Sequence, residues 1–228
     1  MNVWRTCAWR KCFALAIFIF IAAGLWPEAG KVSAKPIKIL ALGNSLVAGY
    51  GLGKADSFIG QLKRAFRADG LEILLINGGV SGDTSAGGRA RLDWALSDKP
   101  DAVIVELGAN DGLRGLEPSE TERNLDAIIA KVTSRGIPVL LSGMRAPPNF
   151  GVEYASEFNA IYPRIAKRYG VLFDPFFLAG VATVPSLNQA DGIHPNKEGV
   201  AVIIKRLMPM LRDLADQSKK NKGSRRMQ

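Results

Sequence analysis

Short apolar runs alternate along this chain with stretches in which apolar residues recur every three or four positions. Five runs read as strands: residues 37–42, 72–77, 102–106, 138–142 and 171–173. Each is dense in Val, Ile or Leu and too uniform to be half-exposed, as expected for strands of a parallel sheet covered on both faces. Between them, Phe58, Ile59, Leu62, Ala65 and Phe66 carry helical spacing, with Gly70 as a stop. Leu125, Ile128, Ile129 and Val132 do the same behind Ser119 and Glu122, which have capping-box spacing. Val200, Ile203, Ile204, Leu207, Leu211 and Leu214 mark a last helix, in which Pro209 predicts a kink or an early end. Strands alternating with helices, with no repeat or linker, predict one domain. It is a three-layer α/β/α sandwich with a five-stranded, mainly parallel sheet.

The two ends change the boundaries of that domain. Arg5, Arg10 and Lys11 precede an uncharged run of 15 residues, 12–26, and Val32-Ser33-Ala34 offers a small-residue cleavage site. This is the pattern of a secretory signal peptide over 1–34, its apolar run too short to span a bilayer, and it predicts an exported mature protein, with an uncleaved membrane anchor as the alternative. Both cysteines, Cys7 and Cys12, fall within it, so the mature chain has no thiol and no disulfide. The formal charge of +9 is also misleading. Removing 1–34 leaves +6, of which +5 sits in 217–228, so the domain expected over 35–216 is nearly neutral. The 217–228 segment reads as a basic disordered tail. Five charges on a tail are a weak signal: they predict at most slight contact with an anionic membrane surface, and no nucleic-acid partner.

In a parallel α/β sheet, ligands bind beyond the carboxyl ends of the strands. Loops 43–53, 77–88, 108–115, 143–151 and 182–196 share that address. The last holds His194, the only histidine, three residues after Asp191. That spacing lets a carboxylate hold Nδ1 and leaves Nε2 free to take a proton from a serine. No serine sits in Gly-x-Ser-x-Gly, no phosphate loop is complete, and one histidine without cysteine makes a metal site a poor reading. Ser45, at the end of the first strand, remains as nucleophile. Its own N–H, that of the unobstructed Gly82, and the Asn110 amide could form an oxyanion hole.

The blocks "GNSLVAGYGL", "NGGVSGDTS", "VELGANDGLRG" and "DGIHPN" resemble, in order, those of the SGNH or GDSL hydrolase superfamily. They are most similar to its bacterial periplasmic thioesterase/lysophospholipase/arylesterase group. The resemblance implies a flavodoxin-like fold, no cofactor, Ser45, Asp191 and His194 as the triad, and Ser45, Gly82 and Asn110 as the oxyanion hole. One departure is Asn44, where the family usually has Asp. Asp83 and Asp111 match family positions and read as loop braces through Asx-type bonds.

The expected activity is hydrolysis of small acyl or aryl esters by a monomer through an acyl-enzyme, with thioesters and lysophospholipids as further substrates. Leu113, Leu116, Pro147 and Phe150, with Phe176 and Phe177, are candidates for an acyl groove. The resemblance also suggests that the loop around Gly112 and Gly115 moves. The alternative reading is a carbohydrate O-deacetylase using the same triad.

Overall fold

The computed structural model describes residues 36–226, so the expected leader lies outside the described residues. Five strands form one parallel sheet in the order β2-β1-β3-β4-β5. β1, Ile37–Gly43, is central and almost wholly buried, and leads into the single turn α1, Ser45–Ala48. α2, Phe58–Ala68, buries Phe58, Leu62 and Phe66 and stops before Gly70, whose φ of +70° glycine adopts without strain. β2, Ile73–Gly79, follows at the sheet edge. It is not fully covered as its composition predicts. An edge strand has one neighbour, and Leu74 points into solvent.

The short α3, Ser85–Ala90, and α4, Leu92–Leu96, lead to β3, Ala102–Glu106, buried at every position. α5, Ala109–Leu113, and α6, Pro118–Ser134, follow. The predicted capping box does not form. Pro118 opens α6 one residue before Ser119, with its fixed φ suited to a first helical position. Glu122 instead pairs with Arg164 at 2.6 Å. β4, Val139–Ser142, then precedes α7, Val152–Tyr169, β5, Leu172–Asp174, and α8, Lys197–Arg226. α2 packs on α8, and α6 packs on α3 and α7, so helical layers enclose the sheet.

α8 decides against an early end at Pro209 and corrects a second expectation. It continues past Pro209, because Pro209 and Lys205, whose carbonyl the proline leaves unbonded, lie on the exposed side. It also carries the basic segment, expected to be disordered, as helix through Arg226. Ser218 is buried there and donates to the Leu214 carbonyl at 2.7 Å, while Lys222 pairs with Asp101 at 2.9 Å. Packing of one face outweighs the charge of the other.

From β1 the chain steps outward to β2, then returns across β1 to β3. That reversal leaves a crevice beyond the carboxyl ends of β1 and β3, and the register sets Gly43 beside both Gly79 and Glu106.

Candidate active site

Ser45 begins α1, two residues beyond the end of β1. Asn44 caps the turn: its Oδ1 accepts from Leu46 N–H at 2.9 Å, and Gly49 closes it at a φ of +82°. Across the crevice, the loop before α8 brings His194 Nε2 to 2.8 Å from Ser45 Oγ. His194 Nδ1 lies 2.6 Å from Asp191 Oδ2. Asp191 Oδ1 accepts the backbone N–H groups of Ile193 and His194 at 2.9 and 3.0 Å. Those two amides, and then the imidazole, hold the Asp191 carboxyl down to about 2, although it is largely solvated. It is therefore a carboxylate wherever the histidine can act as a base. The arrangement lets the imidazole take the serine proton while the carboxylate faces the imidazolium that forms.

Gln189, which lies in no motif, and Tyr50 hold the histidine loop against the serine loop. Gln189 Nε2 donates to the Tyr50 carbonyl at 2.8 Å and to that of Pro195 at 3.0 Å, while its N–H donates to the His194 carbonyl at 2.7 Å. The Tyr50 ring lies on the imidazole, with centroids 4.6 Å apart.

Gly82 and Asn110 come from the loops after the strands flanking β1. The Asn110 amide donates to the Asp83 carbonyl at 2.8 Å, which ties it to the Gly82 loop, and one of its two N–H groups is left for another acceptor. Gly82 has a φ of +85°, and its carbonyl accepts from Arg114 at 3.0 Å. Asp83 and Asp111 brace this region, though not through local Asx turns. Asp83 pairs with Arg91 at 2.6 Å, and Arg91 also donates to the Gly43 carbonyl at 2.9 Å. Asp111 accepts from the N–H and hydroxyl of Ser85, 26 residues away, at 2.8 and 2.5 Å. These braces connect loops, which local sequence does not show.

Beneath the serine turn lies Glu106, at 0 % exposure. Asn44 N–H and Nδ2 donate to its Oε2 and Oε1 at 3.2 and 2.9 Å. Burial pushes its carboxyl from 4.5 up to about 8, against the pull of the two Asn44 donors. The only hint of it in the sequence is an acid closing an otherwise apolar strand.

The apolar cleft touching Ser45 and His194 is lined by Leu46, Tyr50, Leu52, Phe58, Phe177 and Val200. Of the predicted groove residues, Phe177 alone lies there. Arg206 holds that wall. It pairs with the buried Asp174 and donates to the Phe176 and Phe177 carbonyls at 3.0 and 2.9 Å. Leu113, Leu116, Pro147 and Phe150 do not line this cleft; the Phe150 ring lies against Gly115 instead, where an added Cβ would meet it at 2.6 Å. Leu113, Leu116 and Phe150 are exposed, and Pro147 is half-buried. Tyr154 on α7 donates to the Leu116 carbonyl at 2.8 Å, under the same loop.

Comparison with known proteins places this geometry in context. Residues 41–202 match the GDSL-like lipase/acylhydrolase family. Esterase TesA of Pseudomonas aeruginosa is 38 % identical over 177 residues, 77 % of this chain and 88 % of that protein. An arylesterase of Vibrio mimicus is 42 % identical over 162 residues, 71 % of this chain and 81 % of that protein. The crystal structure of TesA superposes with a TM-score of 0.74 at 38 % identity, covering 78 % of this chain and 99 % of that one.

Proposed function

The chain belongs to the GDSL-like lipase/acylhydrolase family, and on that premise we propose that it is a serine esterase in which Ser45, His194 and Asp191 carry the reaction. The observation that carries this reading is the unbroken run of contacts from Asp191 through His194 to Ser45 Oγ, at 2.6 and 2.8 Å. A hydroxyl is a weak nucleophile until a base takes its proton, and here the base is in place with its tautomer fixed from behind.

Ser45 Oγ attacks the ester carbonyl as its proton passes to His194 Nε2. The carbonyl oxygen becomes an oxyanion, which accepts from Ser45 N–H, Gly82 N–H and the Asn110 amide. The tetrahedral intermediate collapses, His194 returns the proton to the departing alkoxide, and the acyl group stays on Ser45. Water then repeats the sequence, giving up its proton to His194 and releasing the acid and the free serine.

The substrate class follows the relatives, named as esterase and arylesterase, and also as thioesterase 1/protease 1/lysophospholipase L1 in Escherichia coli. Small acyl and aryl esters are the substrates we assign, with thioesters and lysophospholipids as extensions. Export after removal of 1–34 accompanies this reading and is checked by sequencing the amino terminus of the mature protein.

The deciding experiment is labelling with a fluorophosphonate, which traps an activated serine. The wild type is expected to be labelled at Ser45, and Ser45→Ala not at all. Label retained by Ser45→Ala sinks the assignment. Nitrophenyl esters of increasing chain length then define the acyl preference.

A further inference from the structure

Among the described residues, Glu106 is the one fully buried acid touching the serine turn, and the mechanism above gives it no task. A buried carboxyl is costly to fold unless its oxygens are satisfied, and packing alone would favour an apolar residue there. Among the described residues, the hydrogen-bond partners of this carboxyl are the two donors of Asn44. No cation among the described residues pairs with it. Arg91, which reaches the Gly43 carbonyl, is committed to Asp83, and Arg206 to Asp174.

The space for Glu106 is also specific. A Cβ on Gly43 would stand 2.6 Å from Glu106 Oε2 and 2.4 Å from Val47 Cγ2. The residue before Asn44 is thus bare where the carboxyl lies, and the carboxyl fills the angle between β1 and α1.

Asn44 therefore faces two ways. Nδ2 donates to Glu106 Oε1 at 2.9 Å, which forces Oδ1 toward the turn, where it accepts Leu46 N–H at 2.9 Å. An amide rotated by 180° would present Nδ2 to the Leu46 N–H and lose the cap. We propose that Glu106 is a positioning residue for the nucleophile: its two oxygens fix the Asn44 amide, and through it the turn that aims Ser45 Oγ at His194 and Ser45 N–H into the oxyanion site. The proposal rests on Ser45 being the nucleophile.

The hydrogen-bond logic gives a reciprocal test. In Glu106→Gln, of equal size, an NH₂ with no acceptor capacity replaces an oxygen that can accept whether the carboxyl is ionised or protonated, and it must oppose an Asn44 donor. If only packing mattered, this variant would be unaltered. In the pair Asn44→Asp with Glu106→Gln, the new carboxylate accepts from both the new amide and Leu46 N–H, while the new amide carbonyl accepts the position-44 N–H. Every bond is restored, and only the one between the two side chains has its polarity reversed.

Steady-state hydrolysis of a nitrophenyl ester and the rate of fluorophosphonate labelling are the readouts. Glu106→Gln is expected to lower kcat about ten- to hundred-fold with KM within about twofold, the scale of a small misplacement of a reacting group. The double variant is expected to recover to within about threefold of wild type. Unchanged kcat in Glu106→Gln, or a double variant as impaired as the single, overturns the proposal. Should the Glu106 variants not fold, Asn44→Ala is read instead: an equal loss of kcat supports the link and wild-type turnover overturns it. Failure of the nucleophile assignment is separate, since it shows as label on the wild type at a site other than Ser45.

Discussion

Glu106 also makes a prediction about stability that is independent of turnover. In the folded protein its carboxyl keeps a proton up to about 8, whereas in the unfolded chain it releases it near 4.5. Between those values the folded state binds the extra proton, so this group's contribution to stability is full below about 4.5 and declines as pH rises toward 8. The slope for one proton is about 1.4 kcal/mol per pH unit, and the whole interval amounts to about 5 kcal/mol as an upper limit. The perturbation is Glu106→Gln, which cannot titrate. Urea unfolding of both proteins at intervals from pH 5 to 8.5 gives the assay, because every group common to both cancels in the difference. The stability of wild type minus variant is expected to fall by roughly 3–5 kcal/mol across that range. A difference flat to within about 0.5 kcal/mol, or one that rises with pH, would refute the reasoning, since the carboxyl would then titrate alike in both states.

Asp174→Asn breaks a buried ion pair and leaves Arg206 without its carboxylate; a loss of about 3–5 kcal/mol in urea unfolding is expected. Asn110→Ala removes a proposed oxyanion donor and is expected to lower kcat about 10²- to 10³-fold with little change in KM, and an unaltered kcat would exclude the role. Because Asp191 titrates only near 2, it stays charged well below the ordinary carboxylate range, and the acid limb of kcat/KM is expected to have a slope of one, from the imidazole, with Asp191 adding no second proton. A slope of two would mean that both groups protonate together.

The strands were legible because parallel burial writes a continuous apolar run. Their ends extended into Gly43 and Gly79, where the backbone ladder continues although no side chain marks it. The site's address was legible for the same reason: parallel strands gather their following loops on one edge. α7 was harder. Phe158, Ile161, Tyr162, Ile165 and Ala166 have helical spacing, yet Pro163 lies among them and reads as a breaker. Its exposed position lets the helix run on. The basic end of α8 was hidden by composition, because Lys222 finds its partners, Asp101 and the Pro36 carbonyl, far away in the chain. Gln189 and Glu106 act through contacts 139 and 62 residues distant, and no local pattern carries such information.

The hydroxyl and the imidazole that meet in the crevice are 149 positions apart, with the imidazole just ahead of the last helix. A nascent chain exposes its alcohol early and its base almost last. On the proposed triad, any fragment ending short of residue 194 lacks the base and is expected to be inert toward esters, so turnover would report the finished molecule and make a direct screen for refolding.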